Sequence, residues 1–509
     1  MSETPSINKW VVALSVILPT LMEIVDTTIV NVSLPHIQGD LSISLDESTW
    51  ILTSYMVSNA IIIPITGWLS VTFGRKRYLI FSVLAFTVAS FACGYAPSFL
   101  ILVVLRFVQG IAGGGLQPVS QAILLEAFPK EQRGMAMAVF GMGVVVGPIL
   151  GPVLGGWITD NWGWRWIFYV NVPIGILSVV LINLFVFDPD YMKNIKKTAI
   201  DYKGLAFLAV AVGALQILLD NAQRKDWFES RFITTLAVIV AVGFILFLVH
   251  EIREKHPVVN LRIFKDRSFS IGNIIMFFGF FGFFGTIVLL PVYLQTLMGY
   301  TAFLAGLVLG PGALTTLLAM PVAGKLLERG VDPRKLLFLS LLTNAVAVNI
   351  MAHFNLSADF WSVIEPRALQ GVAISLFFVP LAAVTFANVE NEDMGNASGI
   401  FNFIRNIGGS FGTAIVTTIL VRREQFHQSR LVENLIPTNE AFAQAQHLLS
   451  NMFSSTAQQL GVIYKELLRQ TAMLAFNDAF YFCSILFIVL MPSVFLIKRP
   501  PSPKLKKTM

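Results

Sequence analysis

The sequence predicts an all-α, polytopic membrane protein made of two six-helix bundles with two further helices inserted between them. Three observations predict it. Apolar stretches long enough to cross a bilayer recur along the chain, basic residues concentrate on alternate loops, and motifs of the first half return in the second.

Of 509 residues, 55% are hydrophobic and 13% charged, and mean hydropathy is +0.71; a soluble domain carries about 25% charged residues. A hydrocarbon core of about 30 Å takes about 20 apolar residues to cross as a helix. Stretches of that kind lie at 11–33, 49–70, 78–96, 99–125, 134–158, 165–187, 203–220, 232–250, 269–297, 302–327, 334–353, 360–387, 397–421 and 472–497. The first has no small-residue cleavage pattern, so it reads as a permanent helix and not a removable signal. Cys93 and Cys483 fall inside predicted spans, where apolar packing is expected rather than a disulfide framework.

With the N-terminus inside, about two thirds of the 36 basic residues fall on inner loops. They include Lys9, Arg75 to Arg77, Lys130, Arg133, Lys193 to Lys203, Arg253 to Arg267, Lys325 to Lys335 and Lys498 to Lys507. The outer loops after the first, third, ninth and eleventh helices have none. The positive-inside rule then puts both termini in the cytoplasm. The net charge of +6 is thereby a topology signal and not a nucleic-acid footprint.

Pro64-Ile-Thr-Gly67-Trp-Leu69 in the second helix returns as Pro321-Val-Ala-Gly324-Lys-Leu326 in the tenth. Arg106-Phe-Val-Gln109-Gly110, followed by Pro118, returns as Arg367-Ala-Leu-Gln370-Gly371, followed by Pro380. Gly147 of the fifth helix has its counterpart in Gly408-Gly409 of the thirteenth. Offsets of about 257 to 261 residues cover all three, which chance similarity in Gly/Pro-rich apolar sequence does not readily give. The implied domains are 1–198, an inserted helix pair at 199–260, and 261–509 with a long outer loop at 422–471. Parallel six-helix repeats with a midplane site between them are a transporter architecture. The loop has helical apolar spacing at 441–452 and 460–468, and reads either as a solvated cap or as a docking surface for an extracytoplasmic partner.

Two segments suit a moving protein. The second-to-third loop reads Gly67-Trp-Leu-Ser-Val-Thr-Phe-Gly74-Arg75-Lys76-Arg77, glycines for close helix approach and a basic cluster to hold the inner side. The fifth helix reads Gly147-Pro148-Ile-Leu-Gly151-Pro152-Val-Leu-Gly155-Gly156, a smooth face bent by prolines and expected at the interface between the halves.

These motifs resemble the major facilitator superfamily, and within it the fourteen-helix drug:proton antiporter branch, the EmrB/QacA group. Residues 67–77 resemble its loop signature, Arg106 to Gly110 its fourth-helix motif, and 147–156 its fifth-helix antiporter motif. Asp26-Thr-Thr-Ile-Val-Asn31-Val-Ser-Leu-Pro35 and Trp164 to Gly175 resemble the motifs of the fourteen-helix branch. The loop at 422–471 is similar to that of Gram-negative members, for which the resemblance implies an inner membrane, a periplasmic adaptor of the EmrA type and an outer-membrane channel. Val71 departs from the pattern: an acidic residue usually stands there, and the inner-side latch assigned to it is in question.

Independently of family, ionisable residues inside spans are functional candidates because they are costly in lipid. Asp26 lies about 15 residues into the first helix, about 22 Å along it, and Glu23 shares its face at i−3. Two close carboxylates in a low dielectric do not readily ionise together, and a carboxylate that exchanges a proton near neutral pH is what coupling requires. Arg106 keeps its charge and favours the ionised form of a neighbouring acid. Asp26, Glu23 and Arg106 are the candidate coupling residues, with a static ion pair as the alternative.

Arg367 stands beside Glu365, with which it is expected to form a local interfacial pair. Arg405 either lines the cavity or snorkels. Asp220 is placed at the outer interface, and Glu126 at the inner end of its helix as a gating or capping residue. Asn31, Gln109, Gln117, Gln295, Arg405 and Phe281 are the candidate cavity lining. Polar members of such a set also serve as glue between helices, and the Phe277–Gly285 run either packs and faces lipid or lines a cavity for flat cations.

No P-loop, catalytic triad or metal-ligand spacing appears, so this chain alone is no ATP-driven pump; no cofactor is expected, and the proton gradient is the driving force. The expected function is proton-driven export of amphiphilic or cationic compounds by alternating access, with lipophilic molecules, protons and membrane lipids as its small partners. A proton-coupled exporter of one metabolite, lipid or siderophore is the second reading. A membrane sensor or scaffold is the third, and it leaves Asp26 and the glycine face unexplained.

Overall fold

A computed structural model describes residues 8–189, 201–255 and 257–498. The domain boundary at 198–199, the lysines at 193–197 and the basic tail beyond 498 lie outside the described residues. Among the described residues, fourteen helices are long and apolar enough to cross a membrane. They are α1 (Lys9–Asp40), α2 (Asp46–Phe73), α3 (Arg75–Gly94), α4 (Phe99–Ala127), α5 (Lys130–Trp162), α6 (Trp166–Phe185), α7 (Tyr202–Asn221), α8 (Arg231–Arg253), α9 (Arg267–Thr296), α10 (Leu304–Glu328), α11 (Pro333–Met351), α12 (Phe360–Thr385), α13 (Met394–Val432) and α14 (Thr456–Leu496). An even number of crossings brings both ends to one face, here the terminal face; the other is the far face.

Local chemistry sets the ends of these helices. A capping box of Ser44 and Glu47 starts α2, and Asp266, Asp332 and Asp359 cap α9, α11 and α12 with side-chain oxygens. Gly74, at φ 85°, makes the left-handed break between α2 and α3 that a residue with a Cβ would resist.

Within the first half, α1 packs on α4, α5 and α6, α2 on α4, and α3 on α4 and α6. The same pattern recurs eight helices later: α9 on α12, α13 and α14, α10 on α12, and α11 on α12 and α14. The halves meet along two seams, α5 against α10 and α12, and α13 against α2 and α4. The inserted α7 packs against both α2 and α13, with α8 on its outside. Its far-face loop carries Arg224, paired with Asp46 of α2, and Trp227, whose indole donates to Thr418 Oγ1 of α13 at 2.8 Å.

Three features differ from expectation. The 422–471 segment is more continuously helical than a loop, since α13 runs on to Val432 and α14 begins at Thr456; the helix at Glu440–Ser450 and the start of α14 fall where the apolar spacing of 441–452 and 460–468 put them. The extensions are tied by Asp478, which pairs with Arg423 at 2.5 Å and His427 at 2.7 Å. A turn in which Arg and His reach one carboxylate lets the helices continue beyond their apolar stretch, which hydropathy alone does not register.

The glycine face of α5 does not lie between the halves. A Cβ on Gly147, Gly151 or Gly155 would strike Ile24, Thr28 or Ile29 of α1, so this face serves close packing within the first half. Pro148 and Pro152 are exposed, and Gly156 has only Val32 near it, at 4.0 Å. The terminal-face end of α5 makes the seam instead: a Cβ on Gly324 of α10 would lie 3.1 Å from Met135 Cα.

Arg367 and Glu365 form no pair. Side chains two residues apart on a helix diverge, leaving Glu365 exposed and Arg367 buried. Cys93 and Cys483 are free and buried.

Candidate functional site

The polar groups of the first half converge on α1. Asp26 is fully buried, and its Oδ2 accepts from Arg106 Nη1 of α4 at 2.7 Å. Its Oδ1 accepts from Gln109 Nε2 at 3.0 Å and from Asn171 Nδ2 of α6 at 2.7 Å. Arg106 also donates to Gln109 Oε1 at 2.7 Å and to the Ile51 carbonyl at 3.3 Å. Its guanidinium lies 4.3 Å from the Tyr55 ring centre. Each charge therefore has hydrogen-bond partners as well as its counter-ion, which is what a buried pair needs to offset desolvation.

Glu23, one turn nearer the terminal face, has different company. Its Oε1 accepts from Tyr55 Oη at 3.1 Å and Asn59 Nδ2 at 3.2 Å, both on α2. Its Oε2 accepts from Gln117 Nε2 of α4 at 2.5 Å. The other end of that amide accepts from Arg405 of α13, so a carboxylate of one half and a guanidinium of the other are joined through one glutamine. Arg405 is 4% exposed and lies 5.9 Å from the Phe280 ring centre, so it faces inward and does not snorkel.

Below this bridge further polar contacts join the halves. Gln121 Oε1 of α4 accepts from Ser398 Oγ at 2.8 Å and Asn402 Nδ2 at 2.5 Å, both on α13. At the terminal face Arg133 donates to the Phe386 carbonyl and to Asn391 Oδ1, each at 3.1 Å. Arg75 pairs with Glu126 and donates to the Asn391 carbonyl at 3.1 Å. These contacts close the terminal face without an acid at position 71. Nearer the far face Gly306 and Gly310 of α10 are unpacked, for a Cβ on either would meet nothing within 4 Å.

The other sequence candidates separate. Gln109 and Gln117 belong to the network. Phe281 is buried inside the second half, its ring 6.2 Å from that of Phe482 and its carbonyl against Gly412, so it lines no cavity. Gln295 is exposed at the far end of α9, away from the midplane network, and Asn31 is exposed on the far half of α1. Gly67 lies at the seam, where a Cβ would come 2.5 Å from Asn396 Cα. Asp220 is held by Gln216 Nε2 at 3.0 Å, and Gln216 Oε1 in turn accepts from Ser410 of α13 at 3.2 Å. Tyr55 was not a sequence candidate; its position four residues before Asn59, on one helix face, is the signal available. The fold also gathers Asp201, His250 and Glu254 at the terminal-face ends of α7 and α8, a set able to hold a metal ion that no spacing in the sequence revealed.

In the second half Arg367 Nη1 donates to Gln370 Oε1 at 2.5 Å, and Gln370 Nε2 donates to Thr286 Oγ1 of α9 at 2.8 Å. The arrangement repeats Arg106, Gln109 and Asp26 with threonine in place of the acid.

The Major Facilitator Superfamily profile matches residues 16–413. The chain belongs to this superfamily. Major facilitator relatives match nearly end to end. Identity is 38% over 498 residues with the fatty acid resistance protein FarB of Neisseria gonorrhoeae, covering 96% of each chain. It is 38% over 492 residues with the multidrug export protein EmrB of Escherichia coli K12, covering 96% of this chain and 95% of that one. The human organic anion transporter MFSD10 superposes with a TM-score of 0.62 at 13% identity, over 96% of this chain and 100% of that one, which shows the major facilitator fold.

Proposed function

We propose that the chain is a proton-driven multidrug exporter of amphiphilic compounds, working by alternating access in the cell inner membrane with both termini in the cytoplasm. The bridge from Glu23 through Gln117 to Arg405 carries the reading. A carboxylate at the meeting of the halves is held by three neutral donors, and its link to a guanidinium runs only through the Gln117 amide. A proton on Glu23 weakens its attraction to Arg405 and frees the halves to rock apart at the terminal face. Loss of that proton, or arrival of a cationic compound, restores or replaces the attraction. Asp26, fixed by Arg106, Gln109 and Asn171, positions α1 against α4 and α6.

The terminal face then corresponds to the cytoplasm, in agreement with its basic loops, and the contacts of Arg133 and Arg75 that close it fit the outward-facing arm of the cycle. The export named for EmrB, and the resistance named for FarB, support export over uptake. The helical extensions of α13 and α14 are the surface on which an EmrA-type periplasmic adaptor would dock in a tripartite system. Proteoliposomes with an imposed pH gradient test the reading with ethidium as cargo: Glu23→Gln is expected to abolish gradient-driven ethidium transport while Gln117→Ala slows it. Unchanged gradient-driven transport by Glu23→Gln refutes the assignment.

A further inference from the structure

The inserted helix pair brings three metal-ligating side chains together at the terminal face. Asp201 caps the start of α7, its Oδ1 accepting from the Gly204 amide at 3.0 Å. His250 lies in the last turn of α8, and Glu254 stands just past its end. The His250 Nε2 is 2.8 and 2.9 Å from the two Asp201 oxygens, and the three residues offer one ligand atom each within 4.8 Å of one another. All three are partly exposed, so a small ion reaches them without opening the fold.

A His–Asp hydrogen bond by itself would account for two of these residues, but a fourth group adds to the demand for positive charge. Glu251 is 4% exposed and lies across Gly204 from Asp201: a Cβ on that glycine would come 2.3 Å from Asp201 Oδ2 and 3.1 Å from Glu251 Oε1. Glu251 Oε1 accepts from the Val259 amide at 3.4 Å, while its buried Oε2 has no hydrogen-bond partner. Among the described residues, no lysine or arginine pairs with Asp201 or Glu251. Neighbouring carboxylates at low dielectric, with an imidazole as their basic contact, are costly unless a cation joins them.

We propose that Asp201, His250 and Glu254 bind a divalent transition-metal ion of the Zn²⁺ class, and that the bound ion braces the closed terminal face. Three side chains and a water make a four-coordinate site, and a shift of about 1 Å in the Glu254 side chain brings the set to the roughly 2.0 to 2.2 Å that Zn²⁺ takes to nitrogen and oxygen. The imidazole selects against Mg²⁺ and Ca²⁺, which favour oxygen ligands alone. The bracing runs through the backbone that follows Glu254. Val258 and Val259 are buried, and Asn260 exchanges two bonds with Asn396 of α13: its amide donates to Asn396 Oδ1 at 3.2 Å, and Asn396 Nδ2 donates to its carbonyl at 3.1 Å. Asn396 is the residue that Gly67 of α2 meets across the seam. An ion tying Glu254 to Asp201 therefore steadies the 254–260 segment against the point where the halves close, whatever the cargo.

Calorimetric titration of the full chain, without a histidine tag and in phosphatidylcholine nanodiscs, with ZnCl₂ tests the site, and spin-label distances between Lys130 and Glu328 test the bracing. One Zn²⁺ per chain is expected, with MgCl₂ bound far more weakly. His250→Gln should weaken Zn²⁺ binding about a hundredfold. Glu254→Gln, which leaves the Asp201 cap of α7 intact, should do the same in a chain that folds normally. His427→Gln, at another His–Asp pair, should keep wild-type affinity. Saturating Zn²⁺ should lower the population open at the terminal face about fivefold or more, and Glu254→Gln should abolish that response. Absence of Zn²⁺ binding by the folded wild-type chain, or wild-type affinity in both His250→Gln and Glu254→Gln, overturns the site. Loss of binding in His427→Gln instead places the ion elsewhere and overturns it too. Zn²⁺ bound at these residues with unchanged spin-label distances overturns the bracing.

Discussion

Replacing Asp26 with asparagine keeps the side chain's shape and removes its charge, and the cost can be worked from its contacts. Oδ2 faces the Arg106 guanidinium at 2.7 Å, and Oδ1 faces two amide donors, Gln109 at 3.0 Å and Asn171 at 2.7 Å. An asparagine offers one acceptor and one donor, so in either orientation an N–H is turned toward another N–H. Arg106, 1% exposed, is left as a buried cation without its acid. Breaking a buried pair from one side costs about 3 to 5 kcal/mol, a factor of roughly 10² to 10⁴ in the unfolding equilibrium. Reversible unfolding in bicelles, by steric trapping, reads this directly. Arg106→Gln should cost a similar amount, and Asp26→Asn/Arg106→Gln clearly less than the sum of the two. Wild-type stability for Asp26→Asn, or strict additivity in the double variant, would refute the account of a mutually dependent pair.

Other expectations follow from the seams. Gly67→Leu puts a side chain where a Cβ alone comes 2.5 Å from Asn396 Cα; the terminal face should fail to close, with transport lost and terminal-face cysteine labelling increased at normal abundance. Gly151→Ala drives a methyl into Thr28 and should lower thermal stability by several degrees, whereas Gly156→Ala, with only Val32 at 4.0 Å, should be tolerated in the same thermal scan. Arg133→Gln weakens two contacts at 3.1 Å to the second half. Charged hydrogen bonds contribute about 1.5 to 3 kcal/mol, so spin-label distances between Lys130 and Glu328 should shift toward the inward-facing population by about tenfold or more. Asp478→Asn loosens the far-face extensions, and hydrogen exchange should quicken at 423–432 and 456–464 by less than tenfold, the pairs being partly exposed.

The helices were legible because hydropathy is additive along a chain: each residue contributes whatever its neighbours do. The repeat was legible because Arg106/Gln109 and Arg367/Gln370 kept their spacing. Partnerships were less so. Glu23 and Asp26 lie three residues apart, and nothing local decides which meets α6 and which meets the opposite half; that follows from how α4 crosses α1. The α5 glycines announced close packing without saying against what, since a smooth face fits α1 as well as α10. Arg367 misled because Glu365 is near in sequence, while the helix turns the two to different sides. Tyr55 gave no charge signal at all, and its role depends on Arg106 lying over its ring.

The strap made by α7 gives the molecule a spine. One seam is bound like the back of a book, with Arg224 reaching α2 and Trp227 and Gln216 reaching α13. Nothing comparable bridges α5 and α10 among the described residues. When the pages turn, the bound edge must move least and the fore-edge most. On the export reading, a solute dissolved in the bilayer would meet the two edges unequally, with its side door opposite the binding.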